Sequence, residues 1–160
     1  MRTKLNLNDL ESKTHSKTLR DTDESAKRLV INLLNGSPTY GIDIDTIFKT
    51  KSGEWLLIEF LKCESKFATP KTSHPRRYWR NWRKFVKLWD ISKRLKAQLI
   101  LINYEEKQKN NYGDFKVMYV DMNIKPSRLK IIETTDKIYN FEEFKEFYMA
   151  MNDQSNSRIV

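Results

Sequence analysis

The stretch from Tyr40 to Lys62 constrains the fold more than any other part of the chain. Gly41-Ile-Asp43-Ile-Asp45-Thr-Ile-Phe48 alternates between apolar and polar positions, as a strand with one buried face does. Lys51-Ser-Gly-Glu54 carries turn residues, and Trp55-Leu-Leu-Ile-Glu-Phe-Leu61 is apolar throughout except at Glu59. Two strands joined this closely pair antiparallel. A second strand so apolar is buried on both faces and needs cover on each side. The hairpin therefore predicts a layered domain with a central sheet.

The rest of the chain supplies the layers. Asp21-Thr-Asp-Glu-Ser25 offers capping residues before the helical spacing Ala26, Leu29, Val30, Leu33, Leu34, and Asn35-Gly36 closes that helix. A helix is predicted from about Pro75 to Lys96, with Trp79, Trp82, Phe85, Val86 and Trp89 on one face. Arg76, Arg80, Arg83, Lys84, Lys87 and Arg94 fall on the other. Ala97 to Asn103 reads as a buried strand, Glu105 to Asn111 as a polar loop, and Phe115 to Asp121 as a further strand. Arg128 to Ile132 adds a candidate edge strand. Asn140-Phe-Glu-Glu143 has capping-box spacing and opens a last helix with Phe141, Phe144, Phe147 and Tyr148 inward. The expected fold is α/β (α+β): a mixed central sheet of four to five strands flanked by helices. Residues 1–20 are expected to form a flexible N-terminal segment, 21–151 a single domain and 152–160 a polar tail.

Charge points to a partner. Between Lys66 and Lys96 stand eleven Lys or Arg residues and one acid, Asp90, a net +10 within a chain whose total is +9. The basic excess is thus one patch, the footprint of a protein that meets a phosphate backbone. A solvated basic face is the alternative. The chain has no apolar run near the roughly 18 residues that cross a bilayer, no apolar leader at Met1-Arg-Thr-Lys-Leu-Asn, and one cysteine, Cys63. These features lead to the expectation of a cytoplasmic protein with no membrane partner.

The acids on the hairpin are what call for chemistry. Asp43 and Asp45 share one face of their strand. With the turn centred near Ser52, Asp45 lies opposite Glu59. Carboxylates side by side in a sheet repel and are costly to desolvate, and a divalent cation between them removes both costs. Magnesium accepts oxygen ligands and uses one or two protein carboxylates. Lys62, three residues after Glu59, would orient water or steady developing phosphorane charge.

Gly41-Ile-Asp43-Ile-Asp45 followed by Ile58-Glu59-Phe60-Leu61-Lys62, set between helices, resembles the PD-(D/E)xK nuclease superfamily over about residues 22–121. The resemblance implies a restriction-endonuclease-like αβββαβ core or a close variant. It also implies Mg²⁺ (with Mn²⁺ substituting) held by Asp45 or Asp43 and Glu59, with Lys62 beside the water. Many members use a glutamate on the first helix, a role that falls to Glu24 here. Glu24 by itself reads as a first-turn glutamate favoured by the helix dipole. The family spacing has one residue between acid and lysine, whereas Glu59 and Lys62 have two. Lys62 then joins the site only through a β-bulge near Phe60-Leu61, and Lys66 is the substitute if it does not.

The reading is a Mg²⁺-dependent endonuclease acting on DNA. Arg76, Arg77, Arg80, Arg83, Lys84 and Lys87 would grip the backbone with little base reading. Cutting both strands of a duplex calls for a homodimer or a larger DNA-processing complex. The competing reading is a non-catalytic nucleic-acid-binding module that keeps the nuclease fold. The two residues between Glu59 and Lys62 are the feature that favours that alternative, and the structural reading of Glu59 is an ion pair with an arginine of the following helix.

Overall fold

A computed structural model describes residues 25–37, 41–63, 68–77, 81–109, 111–128 and 132–155. Two units divide the chain, residues 1–41 and 42–160. The described part of the first is the amphipathic helix α1, Ser25–Leu34. Asn35 and Gly36, both at positive φ, end it as the sequence predicts.

The second unit is built on one five-stranded mixed sheet in the order β1-β2-β3-β4-β5. Its strands are β1 (Thr46–Lys49), β2 (Trp55–Lys62), β3 (Ala97–Gln108), β4 (Asn111–Val120) and β5 (Thr134–Tyr139). Helix α2 (Trp82–Leu95) connects β2 to β3, and α3 (Phe141–Ser155) follows β5. β2 and β3 run parallel, which requires the crossover that α2 provides, while the other neighbours are antiparallel. This is the α+β class with a mixed sheet that the sequence predicts. Two described strands precede α2 and three follow it, so the order is αββαβββα rather than αβββαβ.

Each face of the sheet buries its own cluster. Leu57, Leu99, Leu101, Met118 and Val120 pack with Phe85 and Leu88 of α2. Ile58, Ile100, Ile102, Phe115 and Val117 pack with Phe144 and Met151 of α3. Phe115 and Phe144 stack with ring centroids 4.1 Å apart. The predicted capping box forms: Asn140 N donates to Glu143 Oε2 at 2.9 Å, and Glu143 N donates to Asn140 Oδ1 at 3.0 Å. Among the described residues no helix is long and apolar enough to cross a membrane.

Several boundaries differ from expectation for physical reasons. The edge strand among the described residues is Thr134–Tyr139, and of the expected strand 128–132 residues 129–131 lie outside the described residues. An edge strand buries little, so its sequence shows no apolar alternation, and only Tyr139 is buried. The expected loop 105–111 is mostly ladder, because β3 and β4 continue through two register shifts between Tyr104 and Gln108. Pro75–Arg77 forms a 3₁₀ turn, and α2 begins only at Trp82. The helix is also rotated: Phe85, Leu88 and Ser92 are its buried positions, about a quarter-turn from the centre of the aromatic stripe.

Candidate functional site: the acids at the β1–β2 hairpin

The β1–β2 hairpin pairs Thr46 with Ile58 through Lys49 with Trp55, a register centred on Ser52 as anticipated. Gly53, at φ +87°, donates its amide to Thr50 O at 2.9 Å and closes the turn. The ladder stops at Thr46, so the strand expected from Tyr40 is shorter. Continuing the register by one step sets Asp45 opposite Glu59. There the Asp45 side chain replaces the backbone as acceptor: Phe60 N donates to Asp45 Oδ2 at 2.7 Å. Ile42 and Ile44 pack against the α2-side cluster, and the alternating Asp43 and Asp45 are exposed.

Glu59 occupies the α2-facing side of β2 between Leu57 and Leu61, and it is only 2% exposed. Its Oε1 receives a hydrogen bond and ion pair from Lys84 Nζ, on the first turn of α2. Its Oε2 is buried with no hydrogen-bond partner among the described residues. Burial pushes the Glu59 carboxyl above the ordinary range. The Lys84 hydrogen bond pulls it down, and the charges of Asp45 and Asp43 push it up again. Both aspartates thus lie close enough to Glu59 to act on its charge.

The lysine expected to complete the motif is elsewhere. β2 pairs with β3 without a break from Trp55–Ala97 to Lys62–Tyr104, so β2 carries no bulge after Glu59. Lys62 consequently stands on the opposite face from Glu59, where Nζ meets Glu106 Oε2 at 3.0 Å. Lys66 and Glu24 lie outside the described residues. The amine that the structure brings to Glu59 is that of Lys84, which the sequence reading placed with the outward basic face. Lys84 is four residues before the buried Leu88, hence near the same side of the helix. The anticipated ion pair from the following helix therefore exists, with a lysine in place of an arginine.

The other basic residues divide. Arg83 and Lys87 are exposed on α2, with the Arg83 guanidinium 5.7 Å from the Trp82 ring centre. Arg76 is exposed and paired with Glu133 of the segment before β5. Arg77 ends the 3₁₀ turn, its side chain outside the described residues, as is all of Arg80. Cys63 is buried.

The donor set suits a hard divalent cation. One buried carboxylate oxygen lacks a partner among the described residues, and two exposed carboxylates act on its charge. That matches an ion which uses one or two protein carboxylates and fills its other positions with water and phosphate. Among the described residues no three His, Cys, Asp or Glu side chains converge at metal-ligating spacing.

No protein-family model, curated protein or solved structure matches this chain.

Proposed function

We propose that the chain is a Mg²⁺-dependent endonuclease that hydrolyses DNA phosphodiester bonds in the manner of PD-(D/E)xK nucleases. The observation that carries the proposal is Glu59: a carboxylate buried in an apolar strand, with one oxygen unpartnered among the described residues and the charges of Asp45 and Asp43 acting on it. A buried acid of this kind costs stability, and a site is where that cost is tolerated. Asp45 (or Asp43) and Glu59 would hold the cation, Mg²⁺ or Mn²⁺, which when bound supplies Lewis acidity to the phosphate.

The remaining roles fall to side chains of α2. Lys84 brings an ammonium to the same carboxylate and would steady negative charge developing on the phosphate. Arg83 and Lys87 would hold the backbone on either side of the reacting bond, without base recognition. Asp45 has a second duty, since it also caps the Phe60 amide and so keeps the end of the hairpin closed.

The same ion pair favours a second reading. Lys84 partly neutralises Glu59 without any metal, as it would in a binding module that retains the fold and has lost catalysis. A plasmid nicking assay with Mg²⁺ or Mn²⁺, run beside Glu59→Ala, separates the two. Nicking that requires Glu59 supports the nuclease. DNA binding at low salt without nicking supports the module. Nicking that survives Glu59→Ala overturns the assigned site.

A further inference from the structure

The segment that leads from β2 toward α2 is held by the Lys71–Asp114 and Arg76–Glu133 ion pairs and, between them, is fastened to the sheet at two adjacent residues by groups of different kinds. At Ser73, itself buried, the carbonyl oxygen accepts from Asn103 Nδ2 at 2.9 Å and from Lys116 Nζ at 2.8 Å. Asn103 and Lys116 are buried cross-strand partners on β3 and β4. The Asn103 bond does not change with pH, because an amide does not titrate. At His74, the next residue, the fastening depends on a ring that does titrate.

His74 Nδ1 accepts from the Arg76 backbone amide at 3.1 Å, so that nitrogen carries no proton. Its Nε2 lies 2.8 Å from Thr134 Oγ1, and Thr134 Oγ1 donates to Asp136 Oδ1 at 2.6 Å. The hydroxyl proton is committed to Asp136, so Nε2–H must be the donor to Thr134. Both ring nitrogens are thereby assigned: the bonding pattern admits only the neutral Nε2–H tautomer. A second proton, at Nδ1, would place an N–H against the Arg76 N–H and break that bond.

We propose that His74 is an acid-released latch: neutral, its ring links the Arg76 amide to Thr134 of β5, and protonation releases that amide while Asn103 keeps Ser73 clamped and Arg76 keeps its ion pair with Glu133. The charged groups facing the ring are Asp136 and Glu133, which favour protonation, and Arg76 and Lys116, which oppose it. Burial opposes it most, and the ring titrates below its ordinary value. The latch is complete above about pH 6.5 and is lost as pH falls through the lower folded value. It rests on its own geometry and stands whether or not the chain cuts DNA.

The test is nuclear magnetic resonance on the full chain, in two parts. At about pH 7.5 the His74 ring nitrogens should report the Nε2–H tautomer. Between about pH 7.5 and pH 5, exchange of the Arg76 amide, corrected for its intrinsic pH dependence, should rise by up to tenfold per unit below the His74 pKa. The Ser73 amide, bonded to Thr69 O at 2.9 Å, is the internal control and should not follow. In His74→Gln, which keeps a side-chain donor but cannot be protonated, the Arg76 response should vanish. A charged or Nδ1–H ring at pH 7.5 would overturn the latch. So would an Arg76 response that is absent in wild type or shared by Ser73 or by His74→Gln.

Discussion

Lys84 and Glu59 lie 25 positions apart and meet as an ion pair between α2 and β2, with the second Glu59 oxygen buried and unpartnered among the described residues. Lys62, only three residues from Glu59, faces the other side of the sheet and pairs with Glu106. Proximity in sequence and proximity in space thus select different lysines. If the proposed chemistry is right, Lys84→Ala should lower nicking by about 10²- to 10³-fold, the usual cost of removing one group that stabilises transition-state charge. Lys62→Ala should stay within a few-fold of wild type. The reverse order would reinstate Lys62 and require β2 to bulge on binding DNA.

Glu59 should set activity against stability. Its folded pKa is raised, chiefly by burial. A raised acid contributes stability that is full below its unfolded value and is lost as pH rises through the folded value. At neutral pH the ionised form is therefore a liability, and Glu59→Gln removes the charge while keeping the shape. The variant should gain on the order of 1 kcal/mol, a few degrees in Tm, while losing nicking. Thermal unfolding at pH 7 and pH 4.5 reads the sign: the gain over wild type should shrink at the lower pH. A Tm below wild type at pH 7 would mean that the Lys84 pair outweighs the burial.

Asp45 combines two roles that one pair of substitutions can separate. Its carboxylate accepts the Phe60 amide where the ladder ends, and it acts on Glu59 through its charge. Asp45→Asn keeps an acceptor for Phe60 N–H but removes the charge. Asp45→Ala removes both, and should cost about 1 kcal/mol in denaturant unfolding, the typical value of one such bond. The expected outcome is near wild-type stability for Asn, loss of stability for Ala, and loss of Mg²⁺-dependent nicking in both. Retained nicking in Asp45→Asn would pass the ligand role to Asp43.

What could be read in advance follows from the range of the interactions involved. The hairpin register, the turn at Ser52 and the Asn140–Glu143 cap depend on residues close in the chain, and local spacing was enough to find them. Glu59 stood out because a lone acid in an apolar strand demands a reason. Lys84 was legible only in part. Its face of α2 depends on which residues the sheet buries, and the tryptophans pointed about a quarter-turn away from Phe85, Leu88 and Ser92. Trp82 and Trp89 are half-buried at the flank, where a large amphipathic ring is at home. The clamp of Asn103 and Lys116 on Ser73 joins three elements distant in sequence, and no local pattern announces such a contact.

The hairpin turn that brings the acids together should depend on Gly53 for backbone reasons alone. Its φ of +87° suits glycine, and a Cβ there would meet nothing within 4 Å. Gly53→Ala should therefore destabilise by about 1 kcal/mol through conformational strain without any clash. Asparagine, which tolerates the left-handed region better, should recover part of the loss. Equal stability of Gly53→Ala and wild type would show that the turn relaxes to another type.

DNA affinity should reveal which basic residues touch the phosphates. Each contact releases condensed counterions, so the slope of log Kd against log salt falls by about 1 for each phosphate contact removed. Arg83 and Lys87 stand exposed on α2, the helix that carries Lys84 to the acids, and Arg76 pairs with Glu133. Arg83→Ala and Lys87→Ala should each reduce the slope by about 1 and weaken binding to unrelated sequences equally, because backbone contacts carry no base information. Arg76→Ala should change the slope less than Arg83→Ala, since DNA would first have to displace Glu133. Fluorescence anisotropy on two duplexes of different sequence, across a salt series, measures all three. Unchanged slopes for Arg83→Ala and Lys87→Ala would move the DNA surface away from α2, and with it the role proposed for Lys84.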